Sequence, residues 1–252
     1  MSSEDKQTVL DHLSELRKSL LISVAAIFIA AMGCFFFNEF FLKVVTYPVR
    51  AIGQTLIATG VTEAFFVKLQ LSFLAGFILA FPIVSWAVWR FIKPALYPNE
   101  RRLIYILFPA TLVLFVGGVT FAYFVVLPLV LNFMVYIAGE NLETMFKVDQ
   151  YVSFVMAFII PFGLTFELPI VTYFLTKLGV LKPEKLSQNR KYALLIIVIL
   201  GGVLSPGPDP ISQIMMAGPV YLLYEVSILV AKHTKPRGQD EEEPEENAAD
   251  PS

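Results

Sequence analysis

Five acids in this chain stand where an acidic side chain needs a reason. Glu15 lies in a charged lead before the first long apolar run, and Glu100 lies in a short turn between the second and third runs. Glu167 is about two-thirds of the way through the fourth run, Asp209 sits in the turn Ser205-Pro-Gly-Pro-Asp-Pro210, and Glu225 lies in the last run. An acid inside hydrocarbon costs on the order of 2.5–3.5 kcal/mol on insertion scales, so Glu167 must face protein or water, or carry a proton. It is either a structural acid bonded to a neighbouring helix or a site for a partner or a proton. Glu225 is nearer the membrane edge, where a side chain snorkels easily. Asp209 can cap the helix that follows, and Gln213, just inside that helix, can bond a polar group on another helix.

Glu15 and Glu100 fall at adjacent hairpin ends on one side of the membrane. Two carboxylates there can grip a pair of guanidinium groups through bidentate, charge-assisted bonds. Plainer roles exist for both. In the lead, Val9, Leu13, Leu16 and Leu20 share one helical face while Asp11, Glu15 and Lys18 share another, and Thr8-x-x-Asp11 fits a capping box. That pattern also describes an entry helix with a Glu15–Lys18 pair worth a few tenths of a kcal/mol. In the turn Phe91-Ile-Lys-Pro-Ala-Leu-Tyr-Pro-Asn-Glu100-Arg-Arg102, Asn99 can cap the next span with Glu100 in its first turn.

Other chemistries find no residues here. His12 and His233 lie at opposite ends without metal-ligand spacing, and the single cysteine, Cys34, sits inside an apolar run as inert packing. There is no phosphate-binding glycine loop, no dinucleotide fingerprint and no nucleophile–base pair. Nothing points to an enzyme, a cofactor or a nucleic-acid partner.

The elements that must position these residues are membrane spans. Hydrophobic residues make up 56% of the 252, and charged residues only 16%, against about a quarter in soluble domains. Apolar runs cover about residues 19–37, 66–91, 103–127, 152–176, 192–204 and 212–231. Most have the ~20 residues that ~30 Å of hydrocarbon requires. The fifth run is short, and Pro206-Gly207-Pro208 blocks its extension, so the bilayer thins there or longer neighbours shelter it.

Of the 19 Lys and Arg residues, 15 fall in the lead, the segment between runs two and three, the segment between runs four and five, and the tail. The positive-inside rule then places both termini in the cytoplasm. Six spans over residues 1–234 form one membrane domain. The tail, 235–252, carries Asp-Glu-Glu-Glu-Pro-Glu-Glu with almost no apolar residues and is expected to be disordered.

Pro82, Pro109, Pro161, Pro169 and Pro219 interrupt the spans. They are either ordinary membrane-helix prolines or the kinks of curved helices forming an open, concave bundle. Pro128 is expected to end the third span, leaving Leu129 to Tyr136 as a cap at the outer surface. The loop from Asn38 to Glu63, rich in Phe, Leu and Val, is expected to lie at the same interface.

These residues together resemble the TatC family, the multi-spanning subunit of the twin-arginine (Tat) protein translocase, over nearly the whole chain through span six. The resemblance rests on His12-Leu-x-Glu15-Leu-Arg17, Pro48 in the first outer loop, and Phe91-x-x-Pro-Ala-Leu-Tyr97 followed by Glu100-Arg-Arg102. It continues with Phe166-Glu167-x-Pro169, Pro208-Asp209 and Ser212-Gln213. The turn from Ser205 to Asp209 carries an extra residue relative to some relatives, and the acidic tail is outside the family pattern.

The resemblance implies a receptor for signal peptides bearing consecutive arginines, read by Glu15 and Glu100 with Arg17, Phe91, Leu96 and Tyr97 in the same region. It implies that Glu167 faces the concave interior toward a partner, and that spans five and six, with Gln213, dock single-span TatA/TatB-type subunits. Such a protein sits in the cytoplasmic membrane of a prokaryote, self-associates in a larger complex, and exports folded proteins on the proton-motive force. One six-span chain cannot enclose a pore for a folded protein, so partners must create the path. The rival reading is a solute transporter using Glu167, but the inverted repeats it would need are absent from the sequence.

Overall fold

The computed structural model describes residues 3–96, 101–139, 145–204 and 210–234. Tyr97, Asn99, Glu100, Asp209 and the acidic tail lie outside them. The described chain is almost entirely helical, as a lipid-embedded backbone must be when every N–H and C=O has to find its partner within the chain.

Helix α1 (Ser3–Phe35) joins the charged lead to the first apolar run without a break. A two-residue turn leads into α2 (Asn38–Ala51), and α3 (Val61–Ile92) follows. Helix α4 (Arg101–Phe121) continues through a π-helical turn, Ala122–Val126, into α5 (Leu127–Ala138). Helices α6 (Val148–Thr165) and α7 (Leu168–Lys177) are two halves of one span. A short α8 (Pro183–Gln188) precedes α9 (Arg190–Leu204) and α10 (Pro210–His233).

Among the described residues, five helical stretches are long and apolar enough to cross a membrane: Leu13–Phe35, Val61–Ile92, Arg101–Ile137, Val148–Lys177 and Gln213–His233. Helix α9, at 15 residues, is shorter, in line with the short fifth apolar run.

Two expectations about the outer side need correcting. Pro128 does not end its helix. Its ring would clash with the Phe124 carbonyl of a regular α-helix, and the backbone avoids this by widening: the Leu127 N–H reaches the Ala122 carbonyl, five residues back. The following turn is secured by Asn132 Nδ2, which donates to the Pro128 carbonyl at 2.8 Å. The segment after Phe37 is also no loop, since Asn38–Ala51 is an amphipathic helix packed on α3 and α5. Beyond it, β1 (Leu56–Ile57) and β2 (Phe146–Lys147) form a parallel pair that ties two connections together.

A buried core joins these parts. Val45 and Val49 of α2, Leu71 and Leu74 of α3, Leu127 and Val130 of α5, and Val152, Phe158 and Phe162 of α6 pack together. A separate cluster joins Trp89, Leu96, Ile104, Leu107, Ile170 and Phe174.

Small residues set how closely the helices approach, as is usual where no hydrophobic force separates helix from lipid. A Cβ on Gly76 would lie 2.5 Å from the Ala31 backbone nitrogen, and one on Gly118 would lie 2.7 Å from the Phe162 carbonyl oxygen.

Candidate functional site

The polar residues picked out by the sequence divide between the membrane interior and one end of the α1–α3 pair. On α1, Glu15 and Arg17 are both exposed. At the far end of α3, Phe91 is half-buried, and a single 3-10 turn, Lys93–Ala95, leads to Leu96. Leu96 is buried against Trp89 and Ile104, so the last described residue before Tyr97 is anchored in the protein rather than in lipid.

Glu167 occupies the break between α6 and α7. Pro169 has no N–H to offer the Thr165 carbonyl, and Phe166 and Glu167 form a turn there. The Glu167 N–H donates to the Leu164 carbonyl at 3.1 Å, and the Glu167 carbonyl accepts from Val171 at 2.9 Å, which restarts the helix. Its carboxyl stands beside the Thr111 hydroxyl of α4. Oε1 is buried and has no hydrogen-bond partner among the described residues. Thr111 in turn accepts from Trp89 Nε1 at 3.3 Å.

Gln213 reaches a different helix. Its Nε2 donates to the Val198 carbonyl of α9 at 2.7 Å. Gly201 and Gly202 make the room, for a Cβ on Gly202 would stand 3.0 Å from that Nε2. Glu167 and Gln213 therefore do not share one polar cluster, since the first faces α4 and the second faces α9.

Pro48 lies within α2 and is buried. Because it lacks an N–H, the Val44 carbonyl four residues back has no helical donor, and Tyr123 Oη donates to it at 2.6 Å. Tyr151 Oη donates to the adjacent Val45 carbonyl at 2.7 Å. A third anchor nearby is Glu63, whose Oε2 accepts from the Thr59 N–H at 2.6 Å and from the Gly60 N–H at 3.0 Å.

Sequence reasoning passed over Thr111, Trp89, Tyr123 and Tyr151. The available signal was modest: a tyrosine or tryptophan in an apolar run needs a partner for its polar tip. Glu225, expected to snorkel, instead accepts from Arg190 Nη2 at 2.9 Å and from Tyr221 Oη at 2.9 Å, stapling α10 to the start of α9.

Long apolar helices that carry prolines, with a half-buried acid, Glu167, at the break between two of them, define a polytopic, all-helical membrane protein. Residues 11–219 match the family model described as Sec-independent protein translocase protein (TatC). The Sec-independent protein translocase protein TatC of Carboxydothermus hydrogenoformans is 45% identical over 235 residues, covering 93% of this chain and 97% of that one. The protein of the same name from Escherichia coli (strain K12) is 37% identical over 246 residues, covering 96% and 95%. A crystal structure of the twin-arginine translocase receptor TatC superposes with a TM-score of 0.82 at 39% identity, covering 88% of this chain and 98% of that one.

The chain belongs to the TatC family. It is a multi-pass membrane protein of bacterial type, and its role is protein transport rather than catalysis.

Proposed function

We propose that this chain is the receptor and core subunit of a twin-arginine translocase. It binds signal peptides with consecutive arginines at its cytoplasmic face and recruits TatA/TatB-type single-span subunits to export folded proteins on the proton-motive force. It lies in the inner membrane with six spans, α9 being the short fifth, and with both termini cytoplasmic. Residues 1–234 are its membrane domain and 235–252 a solvated acidic tail.

The observation that carries this reading is the exposed Glu15 on an unbroken α1. Helices α1 and α3 approach closely at Ala31 and Gly76. In an antiparallel pair, Glu15 and Phe91 each lie roughly 23 Å from that crossing, at ~1.5 Å rise per residue, and so stand at one level. Glu100 follows Phe91 by nine residues in the sequence. The Glu15 carboxylate at that level, with Glu100 close by in sequence, suits the planar forks of two arginines, which lysine cannot match. Glu167 and Gln213 are the polar contacts for partner helices within the membrane.

The test is binding of the chain, held in nanodiscs, to a signal peptide with its arginine pair intact and to the same peptide with both arginines replaced by lysine. Arginine is expected to be preferred by about 10- to 100-fold, the value of a charge-assisted hydrogen-bonded pair. That preference is expected to vanish in Glu15→Gln and Glu100→Gln. Equal binding of both peptides to the folded protein would end this reading.

A further inference from the structure

We infer that α2 is an interfacial helix that holds an anionic phospholipid of the outer leaflet, with the phosphate between Lys43 and Arg50 and the acyl chains along Phe40, Val44 and Tyr47. The choice of leaflet, though not the lipid contact itself, rests on the orientation proposed above.

The helix has two unlike faces. Val45, Thr46, Pro48 and Val49 are buried, and the backbone is pinned to the protein by Tyr123 Oη on the Val44 carbonyl and Tyr151 Oη on the Val45 carbonyl. The opposite face is open. Phe40, Val44 and Tyr47 are 62%, 40% and 64% exposed and follow one another at spacings of four and three, so they form one stripe along the helix. An apolar stripe beside a charged edge is the pattern of a helix lying in the boundary between headgroups and acyl chains.

Continuity with the spanning surface identifies what covers that stripe. Helix α1 leaves Phe28, Ile29 and Met32 exposed in a stretch long and apolar enough to cross a membrane. Phe36 and Phe37, 84% and 67% exposed, carry this apolar surface through the turn that leads to Phe40. Asn38 Nδ2 donates to the Phe35 carbonyl and holds the bend between the two helices. The acyl chains that cover α1 therefore meet α2 at its first turn.

The charged edge selects the headgroup. Lys43 and Arg50 are exposed and lie seven residues apart, two turns or about 10 Å along one side of the stripe. Of the 19 Lys and Arg residues, four fall outside the segments that set the orientation, and these are two of the four. An arginine fork takes phosphate oxygens in pairs, and lysine adds a compact charge. Tyr47 stands between them in the helix, and a ring with a polar tip suits the level of the headgroups. Glu39 is also on this edge, one turn before Lys43, which places the phosphate on the Arg50 side of Lys43. A zwitterionic headgroup brings its own cation to the two basic side chains, and an anionic one does not.

The experiment uses the full chain with Cys34→Ala and a bimane label on Val44→Cys, in nanodiscs of phosphatidylcholine and phosphatidylglycerol. One lipid at a time carries brominated acyl chains, which quench the label on contact. Phosphatidylglycerol is expected to quench beyond its mole fraction, with a preference of about 5- to 30-fold, the effect of one to two basic residues at an anionic surface. In Lys43→Gln with Arg50→Gln the preference is expected to fall to about one while both lipids still quench, because the stripe stays among acyl chains. Equal quenching by the two lipids in the chain that keeps Lys43 and Arg50 would overturn the headgroup site. Absence of quenching by either would overturn the interfacial helix as well. The leaflet is read separately, in intact cells, by a membrane-impermeant maleimide on Glu39→Cys in the Cys34→Ala background. Labelling is expected; labelling only after the membrane is opened would overturn the outer-leaflet assignment and the orientation, with the nanodisc result still standing.

Discussion

Tyr123 makes the hydrogen bond that Pro48 cannot. The proline ring leaves the Val44 carbonyl without a helical donor, and the Tyr123 hydroxyl, in the widened turn before Pro128, supplies one at 2.6 Å. One proline thus creates an acceptor on α2, while a second proline widens the helix that carries its donor. Removing the hydroxyl in Tyr123→Phe is expected to cost about 0.6–1.7 kcal/mol, the range for hydrogen bonds inside membrane proteins. In a Pro48→Ala background the Val44 carbonyl regains an N–H, so the same change is expected to cost less. A double-mutant cycle on thermal unfolding in detergent checks this, and additive losses would contradict it.

The crossing of α1 and α3 should tolerate no side chain at Gly76. A Cβ there would meet the Ala31 backbone nitrogen at 2.5 Å, and backbone cannot swing aside as the end of a flexible side chain can. Overpacking of this kind costs ~1–3 kcal/mol. Because α1 packs on α3 and on little else, Gly76→Ala is expected to loosen α1, and Gly76→Leu to detach it. Cross-linking between cysteines placed on the two helices should fall in that order.

The Arg190–Glu225 pair should add little stability despite its good geometry. Its side chains are 46% and 29% exposed, and ion pairs of that kind are worth ~0–1 kcal/mol. Glu225→Gln keeps an acceptor for Tyr221 and is expected to lower stability by less than about 1 kcal/mol. Most of that loss should disappear at ~1 M salt, where charges are screened within about 3 Å. Denaturation of both proteins at low and high salt measures it.

Gln213 is a sharper case, because its donor is half-buried between two helices. Gln213→Leu removes the bond to the Val198 carbonyl and is expected to shift α9 against α10, since α9 has few other neighbours. Spin labels on the two helices should report a broadened distance distribution, while the distance between α1 and α3 stays unchanged.

The spans were legible because uncharged runs of membrane length have few other uses. The Glu167 break was not legible: Pro169 was one of five prolines in the spans, and the other four lie inside continuous helices. Helix α2 was also hard to see. Its apolar residues, Phe40, Phe41, Val44 and Val45, repeat at helical spacing, yet a 14-residue stretch beside a membrane reads equally well as an interfacial loop. Pro128 misled for a physical reason, since a proline's clash with the fourth carbonyl back can be relieved by one extra residue in the turn as well as by ending the helix. The Trp89–Thr111 bond joins residues on different helices, and no pattern along the chain encodes it. Glu100, Tyr97 and Asp209 lie outside the described residues, so their placement rests on the sequence.

Helix α1 runs 33 residues from Ser3 to Phe35 without a proline, and a close contact with α3 lies near one end, at Ala31. With that contact as a fulcrum, the rod would have unequal arms: roughly 24 Å from Ala31 to Glu15, and roughly 6 Å from Ala31 to Phe35. A ligand that pulls Glu15 sideways by a few ångströms tilts the whole rod. At the far surface the movement is reversed in direction and about fourfold smaller, and it arrives where α1 turns into α2. A large, soft displacement on one side of the membrane becomes a small, stiff one on the other.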